Sequence, residues 1–281
     1  MNNLFSERKQ RQVLIIIIVV GRCIRVIKRG AEYALARTPL AKRMYWRYAP
    51  RYYRWKIRQR TTHNLPLDPL QTVWVDPDCI ERYSGRENAY IDRYQDIGKI
   101  KLGNWDIYKS GNRSSKRIED TTRYQSFVER FENGVEWEDT QIFSDLLFKK
   151  LEDDKNKKKV ASKITDELRE YDLLYEKIDS GEYKTQIQLY EKHGMPKNRV
   201  GFLELLTDEI TVDIGRDGEL LFVDGRHRLC MSKISKIDKI PVLVLCRHKE
   251  WLSKLSEYYY SHNNTIQDHP DIAQLSNKNS M

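Results

Sequence analysis

The stretch from residue 210 to residue 248 constrains the fold more than any other part of this chain. Residues 210–214 (Ile-Thr-Val-Asp-Ile) alternate apolar and polar side chains, the pattern of a half-buried strand. Arg216-Asp217-Gly218 is a turn sequence, since glycine accepts the positive backbone angle of a tight hairpin. Residues 219–223 form the return strand, a helix is expected over 226–235, and 240–246 is a wholly apolar strand introduced by Pro241. After Arg247-His248 another helix is expected over 249–259. A hairpin followed by a helix and a further strand is expected to belong to an α+β fold with a small mixed sheet.

The chemistry lies where the second strand gives way to the helix, at Asp224-Gly225-Arg226-His227-Arg228. Helix N-termini favour acidic side chains, because unpaired N–H groups and the macrodipole make that end positive. Two arginines and a histidine oppose that rule, and the simplest compensation is a bound anion. Backbone N–H groups, guanidinium forks and an imidazole donor would then converge on a phosphate, with Gly225 permitting close approach. Asp224, just before the turn, is placed to cap the helix, to accept a proton or to hold a metal ion. A solvated helix start is the plain alternative. Asn104, Trp105 and Asp106 would line the same pocket if an earlier segment pairs with this block, or else form an ordinary Asx turn. Arg216 and Asp217 are expected to be solvated, and a lone His248 to be satisfied structurally. His262 and His269 have no metal spacing with His227, and no Walker loop, dinucleotide fingerprint or zinc cluster occurs.

The block resembles the ParB/sulfiredoxin superfamily, in which a strand leads through a Gly-x-His-Arg or Gly-x-Arg-Arg turn into a helix. Ile240-Pro241-Val242-Leu243-Val244 looks like that family's next strand, and Val73-Trp74-Val75-Asp76-Pro77-Asp78-Cys79-Ile80 like its opening strand and turn. The order of segments is also similar to that of archaeal proteins without an assigned activity. The resemblance implies a domain made of two pieces, 70–108 and 205–260, with a helical insertion at 118–195. It also maps Gly225, His227 and Arg228 onto the phosphate-binding turn. Members include nucleotide switches that clamp DNA, reductases of oxidised peroxiredoxin, and kinases of a free amino acid. Arg226 stands where the reductases have their reactive cysteine, and no helix-turn-helix segment follows the core. The Asp-Gly-x-His-Arg form is closer to the kinase-like branch. The expected ligand is therefore a phosphorylated small molecule or a nucleotide with Mg²⁺, and the expected chemistry phosphoryl transfer or hydrolysis. A nucleic-acid-binding module and a peripheral membrane scaffold are the competing expectations.

The rest of the chain supplies the partners. Net charge is +9 over 281 residues, yet residues 1–60 hold 16 Lys/Arg against Glu7 and Glu32 alone. Residues 1–60 thus form a basic arm that would meet an anionic membrane surface or nucleic acid first. Its apolar run at 13–20 is eight residues long, against about 20 for a spanning helix. No cleavage pattern follows the run, so a buried or in-plane interfacial segment fits better. Within 33–60, Leu40, Met44, Tyr48, Tyr52 and Trp55 form one helical stripe and Arg43, Arg47, Arg51, Arg54 and Arg58 another, with Pro50 expected to divide the helix in two. On the plain reading the aromatic stripe packs on the body. On the functional one, arginines and rings together grip a polyanion.

Residues 61–69 are a linker with Pro66 and Pro69, short strands are expected at 71–75 and 100–102, and 109–117 is a loop. Three helices follow, marked by Tyr124, Phe127, Val128 and Phe131; by Phe143, Leu146, Leu147 and Leu151; and by Val160, Ile164, Leu168, Tyr171, Leu174 and Ile178. The charged run 152–159 between the last two is a solvated linker, and residues 261–281 are a polar, loosely ordered tail. Cys23, Cys79, Cys230 and Cys246 are too scattered for a zinc site or a disulfide framework. That suits a reducing cytosol, so a cytoplasmic protein is expected, peripheral at the membrane if the arm engages lipid.

Overall fold

The computed structural model describes residues 39–61, 63–87, 89–91, 93–109, 116–152, 156–181, 183–193, 201–261 and 269–279. The apolar run 13–20, Cys23 and His262 lie outside the described residues. One mixed sheet of six strands organises the rest, in the order β1-β6-β4-β5-β2 with β3 also on β6. The strands are β1 Thr72–Val75, β2 Arg82–Tyr83, β3 Lys99–Lys101, β4 Ile210–Ile214, β5 Leu220–Asp224 and β6 Ile240–His248. β4 and β5 are the expected hairpin, antiparallel, whereas β6 runs parallel to β4. The opposite edge of β6 is shared end to end. β1 pairs antiparallel with its first half, Thr72 opposite Leu243, and β3 parallel with its last residues, Lys101 opposite His248. The 70–108 segment is thus built into the same sheet as the C-terminal block.

Both faces of the sheet are covered, which corrects the half-buried expectation for β4: all five of its residues are buried. On one face Ile210, Val212, Phe222, Val242 and Val244 pack in a core with Leu229, Cys230 and Ile234 of a helix, α8, that spans Arg226–Ile234. On the other, Val223, Leu243 and Leu245 pack against Ala49, Tyr53 and Ile57 of the first helix, α1 Pro39–Arg58. Residues 39–58 are therefore part of the body. The helix runs unbroken through Pro50, held to the sheet on both sides of the proline by Ala49, Tyr53 and Ile57. The packed stripe is not the expected one, and Met44, Tyr48, Tyr52 and Trp55 face outward.

The covered faces explain the polar residues inside. Thr211 and Asp213 fall on the α1 side of β4, and both are fully buried. Asp213 accepts a two-pronged pair from Arg86, at 2.7 and 2.8 Å, and a 2.5 Å bond from Ser84 Oγ. Arg86 also pairs with Asp96, at the end of α2 Arg93–Asp96. A buried charge with a partner at each fork avoids most of the several kcal/mol that an unpaired one would cost.

The insertion forms α3 Thr122–Phe131, α4 Gln141–Leu151 and α5 Lys157–Asp179. Thr121 caps α3 by accepting from Tyr124 N, and Asn156 caps α5 by accepting from Lys159 N, so α5 begins inside the run expected to be a linker. Phe131 and Tyr175 stack at 3.9 Å, and Asp172 of α5 accepts from Arg130 and Trp137. Two shorter helices, α6 Gln186–His193 and α7 Phe202–Leu206, return the chain to β4. The C-terminal segment also departs from expectation. After α9 Lys249–Ser261 comes α10 Pro270–Asn279, docked through buried Leu275 and a fully buried Asp271 that pairs with Arg247 at 2.5 and 2.8 Å. No helix among the described residues is long and apolar enough to cross a membrane.

Candidate functional site

β5 ends at Asp224, and Gly225 swings the chain into α8 with φ 94°, in the left-handed region. A Cβ at this position would lie 2.9 Å from the Cα of Ile210, so the crossing needs glycine for space as well as for φ. Asp224 Oδ1 accepts from Gly225 N at 2.8 Å, and Oδ2 pairs with Arg93 of α2. No side chain caps α8 and no acidic residue lies in its first turn. The one carboxylate beside the positive end of its dipole is Asp224, which is engaged by Gly225 N and Arg93.

Successive helical residues project about 100° apart, and the three basic side chains part accordingly instead of converging on one point. Arg226 is exposed and lines a cleft of about 360 Å³ with Tyr83, Tyr90, Thr121 and Asp224. His227 and Arg228 line a second cleft, of about 240 Å³, with Arg93, Asp208, Glu209 and Asp224. The Asp224 carboxylate borders both.

His227 does not serve as the expected phosphate donor through Nε2. That nitrogen faces an Arg123 N–H, and a guanidinium only donates, so Nε2 accepts and the ring is neutral. Tyr171 Oη is 3.1 Å from the same nitrogen, and the Tyr171 ring packs 4.5 Å from the imidazole. Burial, and then the positive charges of Arg123, Arg226 and Arg228, push the imidazole down to about 3. His227 thus ties α8 to the inserted helices α3 and α5.

Arg228 points the other way. Its Nη1 is 3.5 Å from Glu209 Oε2, and neither atom makes a hydrogen bond although both are buried. Glu209 follows α7 and is 1 % exposed, and its Oε1 accepts from Gln186 N at 2.6 Å. Burial raises the Glu209 carboxyl to about 7 despite the opposing pull of Arg228. Burial likewise pushes the neighbouring Tyr183 hydroxyl up to about 12. Asp208 lies 3.8 Å from Arg93 and completes the rim.

Asn104, Trp105 and Asp106 are not in this pocket. They meet the tip of the β4–β5 hairpin, at the end of the sheet opposite Asp224. Asp106 accepts from Arg216 N and Nε at 2.7 and 2.8 Å, Asn104 Oδ1 accepts from Arg216 Nη2 at 3.0 Å, and the Trp105 ring lies 5.6 Å from His248. Arg216, expected in solvent, is thereby clamped, and Asp217 pairs with Lys254 at 2.5 Å. His248 is structural: it accepts from Glu250 N through Nδ1 and donates to Gly103 O through Nε2. Buried Cys230 and Cys246 have their thiols pushed up to about 12 by desolvation. Among the described residues, no group of three or more His, Cys, Asp or Glu side chains is arranged to hold a metal ion.

Arg93, Asp208, Glu209, Arg123 and Tyr183 escaped the sequence reading. Each is distant in sequence from the Asp224–Arg228 turn, and no spacing rule connects them. The one local signal was Asp208-Glu209, two acids directly before a fully buried strand. No protein-family model, curated protein or solved structure matches the chain.

Proposed function

We propose that the chain binds a phosphorylated small molecule, a nucleotide by preference, across the Asp224–Arg228 turn, in the manner of ParB/sulfiredoxin-like domains. The observation that carries this reading is Arg228, which lines a cleft at a helix N-terminus without a side-chain cap and whose Nη1 makes no hydrogen bond, its nearest acid being Glu209 Oε2 at 3.5 Å. Buried donors are nearly always paired, and an unpaired one costs roughly 1–3 kcal/mol. A phosphate oxygen in the cleft would take that bond, with the first-turn N–H groups of α8 and Arg93 as further donors. Arg226 lines the neighbouring cleft and is not needed as a donor.

Mg²⁺ would arrive with the nucleotide and be held mainly by its phosphates, with Asp224 or Asp208 as an occasional ligand. For phosphoryl transfer or hydrolysis, Glu209 is the better proton acceptor. Both oxygens of Asp224 are engaged by Gly225 and Arg93, whereas Glu209 Oε2 is unbonded and its carboxyl changes charge near neutrality. Positioning and charge stabilisation are most of what such a step needs.

Isothermal titration with ATP, ADP and GTP, with and without Mg²⁺, tests the reading. Losing a charge-assisted hydrogen bond is worth about 1.5–3 kcal/mol, so Arg228→Ala should weaken binding on the order of tenfold to a hundredfold. Affinity unchanged in Arg228→Ala removes the proposal.

A further inference from the structure

The outward face of α1 has no role in the fold or in the clefts around Asp224. Its packed side is Ala49, Tyr53 and Ile57. Turned away from that side on the helix stand Met44, Tyr48, Tyr52 and Trp55, which are 56 %, 51 %, 47 % and 60 % exposed. Three large aromatic side chains and a methionine form an exposed ridge, in which only Tyr52 touches a core ring, that of Tyr53 at 5.2 Å. Tyr52 and Trp55 rings lie 6.3 Å apart along it, and the Lys56 ammonium lies over the Tyr52 ring. Beside the ridge, one rail of exposed arginines runs the same length: Arg43, Arg47, Arg51 and Arg58. Arg54 alone is turned back, paired with Asp68 at 2.7 Å. The helix sequence, PLAKRMYWRYAPRYYRWKIR, contains no acidic residue.

We infer that this face docks on an anionic phospholipid surface, with α1 lying in the plane of the interface. Trp and Tyr rings favour the headgroup level, where one edge is apolar and the other wet, and arginines alongside them meet lipid phosphates. The charge complementarity is one-sided, as an anionic leaflet requires. The shape agrees too. A convex ridge one helix wide lies flat on a plane, whereas single-stranded nucleic acid is held in grooves lined by stacking rings. The inference is independent of the phosphate-binding turn, which lies on the other side of the sheet.

The test is co-sedimentation of the full chain with phosphatidylcholine vesicles, with and without phosphatidylserine. Three proteins are compared: wild type, Tyr52→Ser/Trp55→Ser and Arg47→Gln/Arg51→Gln. All four positions are exposed, so thermal melting curves should match and any loss belongs to the surface. The wild type should sediment only with the phosphatidylserine vesicles. Each basic residue near a charged bilayer is worth roughly fivefold in partitioning, so the double arginine variant should lose about 25-fold, and the aromatic variant should lose binding as well. Three results would overturn the inference: wild type left in the supernatant, both variants sedimenting like wild type, or binding to DNA or RNA without binding to vesicles.

Discussion

At the scale of single residues, the cleft beside Asp224 holds two titrating groups whose environments act in opposite directions. His227 has an ordinary value of 6.5 and is pushed down to about 3, so between those values the unfolded chain binds the extra proton and stability rises with pH. Glu209 has an ordinary value of 4.5 and is raised to about 7, so across that interval the folded chain binds the extra proton and stability falls as pH rises. The two slopes oppose each other from about pH 4.5 to 6.5. His227→Gln, which keeps an acceptor for Arg123, should therefore become less stable relative to wild type as pH rises through that window. Glu209→Gln should show the reverse trend. Urea unfolding of the three proteins at several pH values checks this, and parallel profiles would mean that neither group is perturbed as described. The same two residues mark how far a sequence carries. His227 was visible because it breaks a helix-terminus rule, but the direction of its ring was set by Arg123 and Tyr171, which are distant in the chain. Glu209 offered only its place beside Asp208 before a strand, and its role became conspicuous only when its partners were in place.

At the scale of elements, the strand–glycine–helix crossing was legible because its chemistry is local: a strand end, a residue that tolerates positive φ, and a helix start. Gly225→Ala isolates the tertiary part of that requirement. Gly134 also has a positive φ, 70°, but a Cβ there would meet open space, whereas at Gly225 it would press on Ile210. Left-handed strain alone costs about 1–2 kcal/mol, so Gly134→Ala should cost about that much and Gly225→Ala clearly more. Denaturant midpoints measure the difference, and equal losses would show that Ile210 yields without penalty. The hydrophobic period located α3, α4 and α5 well, because each has one face that must be buried, and an unbroken apolar run located β6, which is buried on both faces. It misassigned the packed stripe of α1, where rings occur on two faces and periodicity alone cannot choose between them. It also read β4 as half-exposed, since a polar residue in a strand looks the same from sequence whether water or Arg86 satisfies it.

At the scale of the whole molecule, the C-terminal segment fastens the structure it was expected to trail from. Asp271 is fully buried between Arg247 of β6 and Trp251 of α9, whose indole donates to it at 3.0 Å. Burial alone would raise the Asp271 carboxyl, yet the Arg247 charge and hydrogen bonds, with His269 and the Trp251 indole, together hold the group below the usual carboxylate range. Arg247→Met would leave that charge stranded, at about 3–5 kcal/mol, while Arg247→Met/Asp271→Leu should recover most of the loss. Equilibrium unfolding by urea measures both, and an Arg247→Met protein as stable as wild type would show that the pair is dispensable. The segment was read as a tail because its composition is polar, and its anchors, Asp271 and Leu275, show themselves only against partners from other elements.

The way β6 is shared has a temporal consequence. Its edge receives Thr72–Val75 at one end and Lys99–Lys101 at the other, and both early strands must wait for residues after 240 to be synthesised. Pairings of such long sequence separation are slow, because the intervening chain must be gathered before any contact repays the entropy. A ribosome that stalls before residue 240 would hold a chain whose first strands have no place to go, so the sheet can close only after β6 has been made.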